Sequence, residues 1–375
     1  MPLNHSRLAI NLFFFINGFV HANLATRFPR IQELFHIDNG TLGLVLLATS
    51  LGALFAMPFT GWLIIRNGSR RISILSIFSY CVFAPLVPLM PGLPGLFFIF
   101  FMMGVTAGML DVSMNAQAVM VEQQMKKPIM TSFHALFSIG MVAGAGCGSL
   151  FIKLQTPLFI HLAAITALSI AGALWARYHL VHDKPAEKQE GPAFRLPNAA
   201  MVSIGIIAFC CMLGEGAMAD WTTNYMENIS HAGKAFAPLG LSAFALAMTT
   251  GRIFGDSARS KFGDRKLMIA CSIVSTVGLS LAMIFINPYA SLIGFFIVGL
   301  GLSVIVPIAY SVAGNATDLP PGVGLAMVTT VGYSGFLFGP PIIGFLADWQ
   351  TLRIALGLVL ILFVLMTLLS ARYRR

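Results

Sequence analysis

Charge is what this chain has least of. Only 10% of its 375 residues are Asp, Glu, Lys or Arg, against roughly 25% in a typical soluble domain. That excludes an ordinary water-soluble enzyme and a disordered protein. Cysteine is also sparse. Cys81, Cys147, Cys210, Cys211 and Cys271 are odd in number, lack CxxC spacing and lie in apolar segments, so neither a disulfide framework nor a metal site is expected. The chain has no HExxH, no nucleophile–base pair and no GxxxxGK[ST] phosphate loop. It is therefore expected not to be an enzyme, to need no cofactor, and not to be driven by ATP on its own.

What the chain does have is apolar bulk. Hydrophobic residues make up 57%, with 31 Phe and 36 Gly, and the mean hydropathy is +0.83. A membrane-crossing helix needs about 20 apolar residues, and twelve such segments are found, from Leu8–Phe28 to Leu352–Ala371. The first has leader-like features in Arg7, Ala22 and Ala25, but Asn17, His21 and Asn23 interrupt its apolar run, so it is read as a retained span. With both termini inside, 18 of the 23 Lys and Arg fall on the inner side and five outside, a strong positive-inside bias. The expected setting is a bacterial inner membrane, multi-pass, with cytoplasmic termini. The net charge of +9 then describes a basic rim beside anionic lipid and calls for no nucleic acid.

Hydrophobicity breaks once, in HLVHDKPAEKQEGPAFRLP, which reads as a cytoplasmic linker over 179–198 between six-span halves 1–178 and 199–375. The halves resemble each other at a nearly constant offset. Asn17-Gly18 and Ala22-Asn23 match Glu215-Gly216 and Ala219-Asp220; Leu42-Gly43-Leu44 matches Leu239-Gly240-Leu241. Asn67-Gly68-Ser69-Arg70-Arg71 matches Phe262-Gly263-Asp264-Arg265-Lys266; His134 and Gly140 match Tyr333 and Gly339. The expected fold is all-α and polytopic, with 12 transmembrane helices in two pseudo-symmetric six-helix bundles. Parallel repeats of this kind resemble the arrangement of the major facilitator superfamily, which implies a cleft near the bilayer midplane opened to alternate sides.

The loop after the second span strengthens the resemblance. Gly61, Leu63, Arg66, Gly68 and Arg70 fit the superfamily pattern G-x-L-x-D-R-x-G-R-[RK]-x, while Ile65 occupies its acidic position. In the family that acid helps latch one conformation. The second half carries Gly251, Gly255, Asp256, Arg259, Gly263 and Arg265, so the stronger gate contact is expected there; the simpler reading of these loops is topology alone. Three longer blocks, LDVSMNAQAVMVEQQMKKPIMTSFHALFSIG, EGAMADWTTNY and GYSGFLFGPPIIGFLADW, are similar to the MosC-like subgroup of bacterial inner-membrane facilitators. That resemblance implies a secondary transporter without specifying a substrate.

Polar groups within the spans carry the site prediction, because a charge at mid-membrane costs roughly 2.5–3.5 kcal/mol even on the lenient scale. Asp111 lies centrally in span 4, with Asn115 one turn on and on the same face. Glu215 sits between Gly214 and Gly216 in span 7, followed by Asp220 and Trp221. Asp111, Glu215 and Asp220 are the proton-coupling candidates. Substrate-binding candidates are Asn17, His21, Asn23, Asp111, Asn115, His134, Trp221, Tyr310 and Tyr333. For each, interhelical hydrogen bonding or anchoring competes; Arg27 and Arg30 read as rim charges. Pro307 and Gly339-Pro340-Pro341 are candidate bending points. The expected activity is proton-coupled movement of a sugar, polyol or amino-sugar type metabolite by a monomer in the lipid bilayer. The alternative is proton-driven efflux of a drug-like or siderophore-like compound.

Overall fold

The computed structural model describes residues 3–125, 129–182, 199–314 and 323–373, and every regular element among them is helical. Eleven helices are long and apolar enough to cross a membrane, and Leu239–Gly255 is a shorter apolar helix. The eighth predicted span is thus met by a helix whose last turn is basic, with Arg259 and Lys261. Large apolar side chains stand on the surface: Phe55 is 59% exposed, and Leu168, Phe254 and Ile361 are each 65%. Such a surface suits acyl chains, with the backbone satisfied inside each helix.

The chain divides into two compact units, Met1–Ile37 with Leu44–Gln189, and Asp38–Gly43 with Glu190–Arg375. The first contains α1 (Leu3–Ala25), the short α2 (Phe28–Phe35), most of α3 (Asn39–Asn67), α4 (Ser69–Leu86), α5 (Gly92–Met125), α6 (Met130–Lys153) and α7 (Leu158–Ala176). α2 was not anticipated from the sequence; Pro29 sits in its first turn, where a missing N–H costs nothing. The second contains α8 (Ala199–Asn228), α9 (Leu239–Phe262), α10 (Asp264–Ile284), α11 (Pro288–Leu302), α12 (Ile305–Gly314), α13 (Val323–Trp349) and α14 (Leu352–Arg372). Most of the predicted linker, 183–198, lies outside the described residues.

The tenth predicted span is two helices, α11 and α12. The break falls at Ser303–Val304, four residues before Pro307, because proline has no N–H to offer the i−4 carbonyl and its ring crowds that oxygen. Pro340 and Pro341, by contrast, leave α13 as one helix.

The internal repeat reappears as packing. A Cβ on Gly104 would overlap the Thr49 carbonyl, and one on Gly299 would overlap the Phe244 carbonyl; both partners are displaced by the same 195 residues. In each unit an arginine after the loop glycine closes a helix end. Arg70 donates to the Arg177 carbonyl (2.9 Å) and Arg265 to the Ala371 carbonyl (2.6 Å), placing cations at the C-termini of α7 and α14, where the helix dipole favours them.

Within the second unit, the backbone N–H of Asn39 (2.9 Å) and that of Gly40 donate to the two oxygens of Asp348. The N–H of Thr41 goes to Asp38 (2.8 Å), and hydrogen bonds from Thr41 hold the Asp38 carboxyl below its usual range. The first-turn donors of α3 are thereby satisfied. Asp348→Ala is expected to lower stability by about 1 kcal/mol, the usual cost of losing a helix N-cap, read as a reduced unfolding temperature in micelles.

Candidate functional site

In the first unit the acid at the middle of a spanning helix is Asp111. The Asn115 amide donates to the Asp111 backbone carbonyl (2.8 Å) and to its carboxylate (3.1 Å), so the predicted side-by-side carboxylate and amide is present on α5. Both side chains are part-buried. On α1, Asn17 is 9% exposed and His21 is half-buried. Neither makes a hydrogen bond among the described residues. His134 is exposed on α6, edge-on to Phe14 at 5.1 Å between ring centroids.

Two expectations are corrected nearby. Asn23 is fully buried, and both ends of its amide are engaged: Nδ2 donates to the Phe19 carbonyl (2.8 Å), and Oδ1 lies 2.8 Å from His161 Nε2. It has no face left for a substrate. Arg27 is 4% exposed and is not a rim charge. Its Nε donates to His161 Nδ1 (2.8 Å) and its terminal amine to the Thr156 carbonyl (3.1 Å). An arginine can only donate, so Nδ1 is the acceptor and the imidazole proton resides on Nε2, directed at Asn23. Phe151 stacks on the same ring at 4.3 Å. Burial, and then the charge of Arg30, pushes Arg27 down to about 10, which leaves it cationic at neutral pH.

In the second unit Glu215 lies at the middle of α8 and meets Arg252 of α9 at 3.3 Å. The side chains are 25% and 19% exposed, so the pair is neither dry nor freely solvated. Arg252 was counted from sequence with the basic rim. The structure corrects that, pairing it with the mid-helix acid. The signal available was the acid itself: a carboxylate amid apolar residues with no cation on its own helix requires one nearby. Tyr310 reaches the Met212 sulfur at 3.7 Å, one turn from Glu215, and Tyr333 lies 6.1 Å from Phe336, ring to ring. Asp220 is half-buried and makes no hydrogen bond among the described residues. Trp221 is fully buried and its indole N–H has no partner among the described residues. Buried in this way it presents no face to a substrate or an interface, a correction of both expectations for Trp221.

The predicted gating positions divide. Gly61 has open space around it and Arg66 is exposed. Gly68 and Gly263 adopt left-handed φ of 81° and 77° and start α4 and α10. Arg70 and Arg265 close helix ends as described above. Arg259 holds Asp264 through two nitrogens (2.7 and 3.2 Å) and donates to Ser311 (2.8 Å). The side chain of Asp256 lies outside the described residues. Among the described residues no cluster of three His, Cys, Asp or Glu could hold a metal.

A helical chain with this lipid-facing surface and ionisable groups inside its helices defines a multi-span membrane transporter. The model of the Major Facilitator Superfamily matches residues 10–228 and 204–375, and the chain belongs to that family. It is 34% identical over 356 residues to an uncharacterized MFS-type transporter of Yersinia pestis, covering 95% of this chain and 92% of that one. It is 31% identical over 373 residues to the membrane protein MosC of Rhizobium meliloti, covering 98% and 90%. In fold it is similar to a crystal structure of the nucleoside transporter NupG, with a TM-score of 0.82 at 11% identity, covering 98% and 99%.

Proposed function

We propose that the chain is a secondary active transporter that moves a small polar metabolite of sugar, polyol or amino-sugar type by alternating access, coupled to protons. In this reading it sits in a bacterial inner membrane with its termini in the cytoplasm, and six-helix bundles 1–178 and 199–375 act as the two moving halves. The observation that carries the reading is the Glu215–Arg252 pair. A carboxylate kept half-buried in a transmembrane helix, within a loose 3.3 Å of a guanidinium, forms an ion pair that a cargo or a change of conformation can open and close. Charge-assisted contacts that are purely structural are usually shorter, about 2.7–2.9 Å. Asp111 with Asn115, and Asn17 and His21, which make no hydrogen bond among the described residues, supply the donor and acceptor mix that hydroxyl-bearing compounds require.

The test starts from a thermal-shift panel of hexoses, inositols and amino sugars on the purified protein at two pH values, since a bound ligand stabilises in proportion to its affinity. The stabilising compound is then followed into proteoliposomes. Uptake driven by an inward proton gradient is expected in the wild type and lost in Glu215→Gln, with Asp111→Asn reduced. Unchanged uptake in both variants would overturn the coupling assignment.

A further inference from the structure

The two repeats finish the same corner differently. In the first unit the start of α4 is covered: Ser69 is 1% exposed. Gln117 of α5 donates to Ser69 Oγ (2.7 Å) and to the Val181 carbonyl (3.0 Å) and accepts from the Val181 N–H (2.9 Å). The chain leaving α7 is thus fastened over the corner, with Leu180 1% exposed. In the second unit no such hydrogen-bonded strap is present among the described residues; Val312 and Tyr373 pack instead against Met268, Val304 and Ile308. A Cβ on Gly263 would meet nothing within 4 Å, and the 195-residue shift places Val312, which has no amide group, where the first half has Gln117. An open groove of about 790 Å³ remains, lined by Arg259, Phe262, Asp264, Arg265, Lys266 and Tyr373 among others.

The charges in this groove do not balance. Asp264 is neutralised by Arg259, which leaves Arg265 and Lys266 as a cationic surplus, with Lys261 and Arg372 adjacent in sequence. Arg265 spends part of its guanidinium on the Ala371 carbonyl, a partner that does not cancel its charge. Lys266 is exposed and makes no hydrogen bond or ion pair among the described residues. Apolar side chains line the groove as well, Phe262 at 53% exposed and Ile269. Further along the same two helices, Phe254 of α9 and Val277 of α10 are 65% and 55% exposed.

We propose that this groove binds the phosphate of an anionic phospholipid, with Arg265 and Lys266 as its cationic partners and the acyl chains against the exposed apolar side chains of α9 and α10. The shared chemistry is an oxyanion on a basic groove; its apolar lining selects the amphiphile over a soluble phosphate. The inference stands independently of which metabolite is carried.

The full chain, purified in detergent, is titrated with dioleoyl phosphatidylglycerol, dioleoyl phosphatidylcholine or sodium phosphate. The readouts are the unfolding temperature and, by native mass spectrometry, the number of lipids retained. Phosphatidylglycerol is expected to bind at least about fivefold more tightly than phosphatidylcholine, the increment one basic residue supplies near an anionic lipid. Lys266→Gln should remove about fivefold of that affinity and Lys266→Glu more, with phosphatidylcholine binding unchanged. Because Lys266 holds nothing within the fold, both variants should unfold at the wild-type temperature without lipid. Equal binding of the two lipids, or wild-type phosphatidylglycerol affinity in Lys266→Glu, would overturn the proposal. So would stabilisation by sodium phosphate alone that depends on Lys266, which would give the groove to a soluble oxyanion.

Discussion

Replacing His161 by alanine is expected to destabilise the protein by about 3–5 kcal/mol, the combined cost of deleting a buried ring and of leaving the buried Arg27 guanidinium one acceptor short. Arg27 is 4% exposed, and with His161 gone its Nε–H faces a void while the cation stays behind. Arg27→Ala should cost less, about 2–4 kcal/mol. It takes the charge away and leaves two acceptors, His161 Nδ1 and the Thr156 carbonyl, each penalised by about 1–2 kcal/mol as an unsatisfied buried group. The double variant should fall well short of the sum, because both substitutions break the same chain of hydrogen bonds running from Arg27 through His161 and Asn23 to the Phe19 carbonyl. Unfolding in mixed micelles by a denaturing detergent measures all three. A His161→Ala protein within about 0.5 kcal/mol of wild type, the range of an ordinary surface change, would mean that this network does not hold the first unit together.

That network also marks the limit of what the linear sequence disclosed. The helices and their order were legible, because a run of twenty apolar residues has few other fates and the basic loops punctuate the runs. The repeat was legible in short echoes such as Gly68-Ser69-Arg70 against Gly263-Asp264-Arg265, and the structure gives those arginines matching tasks at helix ends. Partnerships between helices were not legible. Arg27 stands beside Pro29 at the end of an apolar run, the usual place for a rim cation, and its partner His161 is 134 residues away. Trp221 follows Asp220 near the end of α8, which suggests an interface residue, yet packing from the surrounding helices buries it completely. Hydropathy reports how apolar a turn is, not which neighbour it faces. The helix break before Pro307 lies between these cases. The residue that causes it was visible, and the displacement of the break to Ser303–Val304 follows from which carbonyl the proline ring opposes.

Of the candidate site residues, Glu215 and Arg252 allow the sharpest separation of folding from function. Glu215→Gln removes one counter-charge from beside the guanidinium, and Arg252→Gln removes the cation 3.3 Å from the carboxylate; each is expected to destabilise by about 1–3 kcal/mol. That is below the 3–5 kcal/mol seen when a fully buried pair is broken, since the side chains are 25% and 19% exposed. The double variant Glu215→Gln/Arg252→Gln places two neutral amides face to face, able to donate and accept to one another, and should recover stability to within about 1 kcal/mol of wild type. Transport should not recover with it. If the pair served only to fasten α8 to α9, restoring the fold would restore uptake. If the carboxylate is the group that takes up and releases the coupling proton, a neutral amide cannot replace it, and proteoliposomes under an imposed pH gradient should accumulate no cargo, using the compound selected by the thermal-shift panel. Equilibration of that compound without a gradient is the informative control. A double variant that still exchanges cargo but no longer concentrates it has kept its binding groups and lost the link to the proton, and one that concentrates it normally removes Glu215 from the coupling machinery.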